Sequence, residues 1–190
     1  MPFPEAECLK NEIFVKESTS LAEQYALAFS KLGGRFIYCD HNDDMLAKFL
    51  MLADNLNWSK IAVKDAQLIS LFGERKMSFV HPDNSINESN AAISLCERLV
   101  ARTGSAVYSS AQAYGRQLPV YTPIHITIAY TSQLTWDWQE AKDAIIEKYN
   151  GVLPSLLCLS TGPSRTADIE KTLVVGVHGP KEVYTFLIEG

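Results

Sequence analysis

Apolar positions in the first half of the chain alternate between a helical and an extended period. Leu21, Tyr25, Ala28, Phe29 and Leu32 recur at helical spacing. They follow Ser20-Leu21-Ala22-Glu23, whose Ser and Glu side chains can each satisfy the other's backbone amide as a capping box. The pattern predicts a helix to about Lys31, stopped by Gly33-Gly34. Residues 35–39 are short, apolar and β-prone, hence a strand. Asn42 is the expected cap of a second helix that buries Leu46, Phe49, Leu50, Ala53 and Leu56. Residues 60–63 read as the next strand, 65–72 as a short helix ended by Gly73, 77–80 as a third strand and 81–89 as a turn-rich loop. A fourth helix is expected over 91–102, with Ala92, Leu95, Cys96 and Leu99 on one face. Alternating helix and strand is the signature of βα units around a mostly parallel sheet with helices on both faces.

The second half adds strands. Thr103-Gly104 stops the fourth helix and 105–109 is extended; Gly104-Ser105 at that junction could turn free amides toward a ligand. An irregular loop over 111–123 includes Tyr114, Gly115 and Arg116. Residues 124–130 form a buried strand in which His125 alternates out of the apolar set, as a satisfied structural histidine does more often than a ligand. Thr135 is the expected cap of a helix over 136–149, with Trp138, Ala141, Ile145 and Tyr149 facing inward and Gly151 at its end. Strands are expected over 156–159, 172–177 and 183–188. Only residues 178–182 join the last two, too short a link for a crossover helix, so they are expected to pair as an antiparallel hairpin at a sheet edge. Tyr184 to Leu187 would then be an exposed pairing surface. The chain divides into an N-terminal arm (1–19) and one α/β domain (20–190).

The densest chemistry lies over 160–180, STGPSRTADIEKTLVVGVHGP. Thr161, Ser164 and Thr166 offer hydroxyls, Gly162 permits close backbone approach, and Arg165 presents a planar fork of donors suited to a carboxylate or phosphate. Gly176 and Gly179 would again admit backbone. Asp168 is a candidate base or a partner that orients Arg165, and His178 is a candidate for proton transfer near neutral pH. The same residues also serve a well-capped turn: Asp168 as the cap of a helical turn, Arg165 paired with Glu170, and His178 opening a hairpin.

Composition narrows the classes. At 190 residues, with 47% hydrophobic and 21% charged positions, one globular domain with an ample core is expected. Seventeen basic residues against 22 acidic ones, with no basic run, argue against nucleic acid or an anionic membrane as partner. The start lacks a signal-peptide pattern and no apolar run is long enough for a membrane span, so a cytoplasmic protein is expected. Cys8, Cys39, Cys96 and Cys158 are far apart and form no Cys-x-x-Cys. Together with four histidines lacking ligand spacing, they give no motif for a cluster or metal held by this chain.

Thr161–Glu170 (TGPSRTADIE), followed by an apolar strand and Gly176–Pro180 (GVHGP), resembles the lactate-utilization protein C group of the LUD domain family. Upstream, Thr103-Gly104-Ser105 and the stretch containing Gly115-Arg116, Pro119 and His125 are similar to it more weakly. Two positions depart: Thr161 stands where Ser is common, and Arg102 stands where the family usually carries Glu, which weakens any assignment of a catalytic acid there. The resemblance implies a three-layer α/β/α sandwich with a mixed, mostly parallel sheet, related to the sugar-phosphate isomerase and coenzyme A transferase superfamily. It also implies a non-redox subunit in oxidation of L-lactate to pyruvate, with iron–sulfur clusters carried by partner proteins. The 160–180 loop would bind a carboxylate or phosphate, or dock a partner. The other classes open to such a chain are a free-standing enzyme acting on a sugar phosphate or acyl thioester, and a pure scaffold.

Overall fold

The structure is a computed structural model that describes residues 19–73, 79–80, 89–113, 121–167, 173–175 and 179–190. The readings made for residues 1–18, 81–88 and 114–120, and for Asp168, Gly176 and His178, lie outside the described residues.

The expected capping box starts helix α1 (Leu21–Lys31): the Glu23 amide donates to Ser20 Oγ, and the Ser20 amide donates to the Glu23 carboxylate. Strand β1 (Arg35–Cys39) follows. Helix α2 (Asn42–Asn55) begins one residue earlier than a cap at Asn42 predicts. His41 is the cap, its Nδ1 accepting from the Asp44 amide, and Asn42 is already helical. Next come β2 (Ile61–Ala62), α3 (Ala66–Gly73) and β3 (Phe79–Val80).

The expected fourth helix is not formed. Residues 91–102 instead make β4 (Ala91–Leu95), β5 (Arg98–Val100) and a 3-10 turn (Ala101–Thr103). Ala91, Ala92, Ile93 and Ser94 are all buried, as expected of a strand with both faces covered. Such a short apolar run carries no period by which to tell it from a buried helix. β6 (Ser105–Ser109) and β7 (Ile124–Tyr130) form as expected. After the short β8 (Leu134–Thr135) comes α4 (Trp138–Lys148), capped by Asp137 rather than Thr135. The Thr135 hydroxyl donates instead to the Leu99 carbonyl. β9 (Leu157–Ser160), β10 (Arg165–Ala167), β11 (Leu173–Val175) and β12 (Glu182–Ile188) complete the described elements.

Strands β1-β12-β7-β4-β2 lie side by side in that order, all parallel, with two-residue β3 beside β2. The expected terminal hairpin is therefore wrong. β12 is internal, paired with β1 on one side and β7 on the other, and β11 pairs with β10 instead. Val183 to Ile188 are buried on both faces, which suits an interior strand and removes the proposed pairing surface.

The two faces of this sheet differ. Tyr184, Phe186, Ile126, Ile128, Ile93 and Ile61 pack under α2 and α3, against Met45, Phe49, Leu68 and Phe72. The opposite face meets α1 and a second, mixed sheet of order β8-β5-β6-β9, through Ala62, Ala92, Ala129 and Leu187 against Tyr25, Leu99, Ala106 and Tyr108. α4 covers the far side of that second sheet through Ala141 and Ile145. The expected sandwich is thus modified: the mixed pairing belongs to a second sheet, and that sheet takes up much of a face expected to carry helices alone.

Polar side chains on the face that meets α1 and the second sheet are hydrogen-bonded in pairs. Ser94 Oγ is hydrogen-bonded to His125 Nε2 at 2.8 Å, Tyr108 Oη to Thr127 Oγ1 at 2.6 Å, and Tyr25 Oη to Thr185 Oγ1 at 3.1 Å. His125 is the satisfied structural histidine expected from the sequence.

Candidate functional site

The parallel sheet has two ends, and residues 160–165, 179 and 180 lie at the amino end. β9 delivers the chain there antiparallel to β6, bringing Thr161 to Ser105. Ser105 Oγ is hydrogen-bonded to Thr161 Oγ1 at 2.8 Å and to Thr103 Oγ1 at 2.7 Å. Gly104 has φ +61°, and a Cβ there would lie 2.4 Å from the Phe29 backbone nitrogen. Only glycine lets the 3-10 turn approach α1 so closely. Gly162 has φ +76°, and its Cβ would sit 2.9 Å from Leu32 Cβ. Ser164 donates its amide to Pro180 O at 2.9 Å, and a Cβ on Gly179 would be 3.0 Å from Ser164 Cβ.

Arg165 donates from its guanidinium to the carbonyl oxygen of Leu32, the residue that caps the C-terminus of α1. A cation there complements the negative end of the helix dipole, and an anion is disfavoured at the same place. The fold thus gathers Gly104, Ser105, Thr161, Gly162, Ser164, Arg165 and Gly179 around the last turn of α1. Thr166 runs on into β10.

The carboxyl end of the sheet carries a different group, which the sequence reading passed over. The chain turns from β4 into β5 at Cys96 and Glu97, so that one strand belongs to the first sheet and the next to the second. Glu97 has a fully buried side chain. Its Oε1 accepts from Ser109 Oγ at 2.5 Å and Tyr149 Oη at 2.7 Å, and its Oε2 accepts from Lys148 Nζ at 2.6 Å. Burial raises the carboxyl pKa, but these hydrogen bonds, led by that of Lys148, outweigh it and hold the group below the usual value. Burial likewise lowers the Lys148 pKa, and its bond to Glu97 more than restores it, so both partners stay charged. A cleft of about 540 Å³ opens beside them, lined by Asp65 and Gln67 at the start of α3, by Gln112 and Gln133, and by Lys148 and Tyr149. Gln133 Nε2 donates to Cys96 O at 2.6 Å and holds the turn in place.

Glu97 stands in the run Cys96-Glu97-Arg98-Leu99, where a helical reading turns it to solvent. The available signal was an acid and a base side by side, Glu97 and Arg98, flanked by apolar residues. Among the described residues, no group of three or more His, Cys, Asp or Glu side chains is placed to hold a metal ion. No described helix is long and apolar enough to cross a membrane.

Comparison with known proteins gives three findings. The LUD domain family matches residues 22–188. Lactate utilization protein C of Bacillus subtilis (strain 168) is 36% identical over 103 residues, 53% of this chain and 43% of that protein. Lactate utilization protein C of Geobacillus kaustophilus (strain HTA426) is 33% identical over 99 residues, 51% and 41% of the two chains. The matched stretches thus span less than half the length of these curated relatives. The crystal structure of a DUF162 family protein from Deinococcus radiodurans superposes with a TM-score of 0.65 at 16% identity, covering 88% of this chain and 96% of that one. At that identity the likeness speaks for the fold. With a family match that runs from α1 to the end of β12, the chain belongs to the LUD domain family.

Proposed function

We propose that this chain is a non-redox subunit of a system that oxidises L-lactate to pyruvate, working beside iron–sulfur partner proteins. The observation that carries this reading is the family match over residues 22–188, joined to the similarity to lactate utilization protein C. Two roles were open to the 160–180 loop, and the geometry favours docking over anion binding. Arg165 is engaged with the carbonyl of Leu32 at the negative end of α1, and Thr161 is tied to Ser105. Thr161 and Arg165 remain solvent-exposed on a loop fixed by Gly162, Ser164 and Gly179. Exposed side chains on a backbone already tied by such contacts lose less conformational freedom when a protein partner covers them. A free-standing enzyme for a sugar phosphate or acyl thioester has only likeness of fold behind it.

Anaerobic affinity purification from a lactate-grown native host, with iron analysis of the eluate, tests the reading. Wild type and Arg165→Lys are expected to retain an iron-containing protein, and Arg165→Glu is expected to lose it. An eluate without iron for wild type would end the subunit reading. Equal retention by Arg165→Glu would end the docking role of the loop.

A further inference from the structure

The cleft at the carboxyl end of the sheet lies where β4 and β5 part into different sheets, beside the ends of β4 and β7 and the start of α3. Open parallel sheets take ligands outside the carboxyl ends of their strands, where neighbouring connections diverge. A volume of about 540 Å³ suits a small organic molecule.

A buried ion pair contributes little net stability, because desolvation of both charges offsets their attraction. The pair here, in which only the Glu97 side chain is fully buried, nevertheless holds Lys148 in a fixed place. One ammonium donor is bound to Glu97 Oε2 at 2.6 Å, while the side chain as a whole stays 52% exposed and lines the cleft. A second donor is turned toward Tyr149, whose ring centre lies 5.3 Å from Nζ, and the third is left to a ligand. Ser109 and Tyr149 fix Glu97 in turn. Asp65, also on the lining, carries a negative charge. Its Oδ1 accepts from the Gln67 amide at 2.9 Å, which orients the carboxylate at the start of α3. A bare anion drawn to Lys148 is opposed by Asp65. A molecule that carries an anionic head together with a hydroxyl satisfies both, the head accepting from Lys148 and the hydroxyl donating to Asp65.

We propose that this cleft binds a small hydroxylated acid, with Lys148 anchoring its carboxylate or phosphate, Asp65 accepting from a hydroxyl, and Glu97 acting as the positioning residue for Lys148. The cleft lies at the opposite end of the sheet from Arg165, so this site and the docking loop stand or fall separately.

Backbone-amide NMR titration of the full chain tests it, with L-lactate and ribose 5-phosphate as the two hydroxylated probes and acetate and inorganic phosphate as the corresponding bare heads. Saturable shifts are expected at Ala66, Gln67, Ala111, Gln112 and Tyr149, with at least one hydroxylated probe. Which of the two binds more tightly identifies a carboxylate or a phosphate head. Its bare counterpart is expected to bind at least fivefold more weakly. Lys148→Met is expected to lower affinity at least tenfold, Lys148→Arg to keep most of it, and Arg165→Lys to leave it unchanged. Asp65→Asn, which can still cap α3, is expected to remove the advantage of the hydroxylated probe. If Lys148→Met alone fails to fold, Lys148→Met combined with Glu97→Gln removes the charge without leaving a buried carboxylate unpaired. No shift at these amides with either hydroxylated probe overturns the proposal. So does affinity within twofold of wild type after loss of the Lys148 charge, or an undiminished preference for the hydroxylated probe in Asp65→Asn.

Discussion

His125 is buried between the two sheets, and its charged form would lose its hydration there. Burial drives its pKa from the ordinary 6.5 down to about 3. Between those values the unfolded chain takes up a proton that the folded chain refuses. Its contribution to stability is therefore complete above pH 6.5 and is lost as pH falls toward 3, at up to ~1.4 kcal/mol per pH unit. Urea unfolding at pH 7 and pH 4.5 is expected to show this loss, and His125→Gln is expected to show a smaller one. Equal pH dependence in the two proteins would refute the assignment. Gly104 offers a second test at this scale. An alanine there would need a left-handed backbone and a Cβ 2.4 Å from the Phe29 nitrogen. Gly104→Ala is expected to cost ~2 kcal/mol or more in urea unfolding. The histidine could be read from the sequence, since it interrupts an alternation of apolar residues. The pairing of Glu97 with Lys148 could not, because 51 residues separate the two and the strand that presents Glu97 was read as helix.

At the scale of elements, α1 is held at both ends by side chains. Ser20 and Glu23 satisfy its first turn and Arg165 its last. Ser20→Ala is expected to lower stability by ~1 kcal/mol in denaturant unfolding. Arg165→Met is expected to lower the melting temperature while Arg165→Lys recovers most of the loss. The capping box was legible because both halves lie within one turn of sequence. The role of Arg165 was hidden, because its acceptor, Leu32, lies 133 residues away. An arginine in a hydroxyl-rich loop looks the same whether it awaits an anion or closes a helix. The misreading of residues 91–102 has a similar origin. Ala91 to Ser94 is buried on both faces, and the passage from one sheet to the other at Cys96-Glu97 carries neither glycine nor proline to announce it.

The whole molecule depends on where β12 goes. Link length suggested a hairpin, because it restricts how two consecutive strands can pair with each other and says nothing of insertion between two others. β12 makes seven register pairs with β7 and five with β1, so the strand nearest the C-terminus of this chain closes the gap beside the first. Ending the chain at Pro180 would leave β1 with no described strand partner and strip one side of β7. Such a truncation is expected to abolish cooperative thermal unfolding. A sharp melt at the wild-type temperature would contradict this placement.

This arrangement fixes an order of events during synthesis. β12 leaves the ribosome after every other strand of this chain, and until it does the parallel sheet exists as two pieces, β1 apart from β7-β4-β2. The unjoined edges of β1 and β7 are then open hydrogen-bonding templates for a neighbouring nascent chain. Yield of soluble protein should therefore respond more strongly to translation rate and holding chaperones than the stability of the finished molecule would suggest.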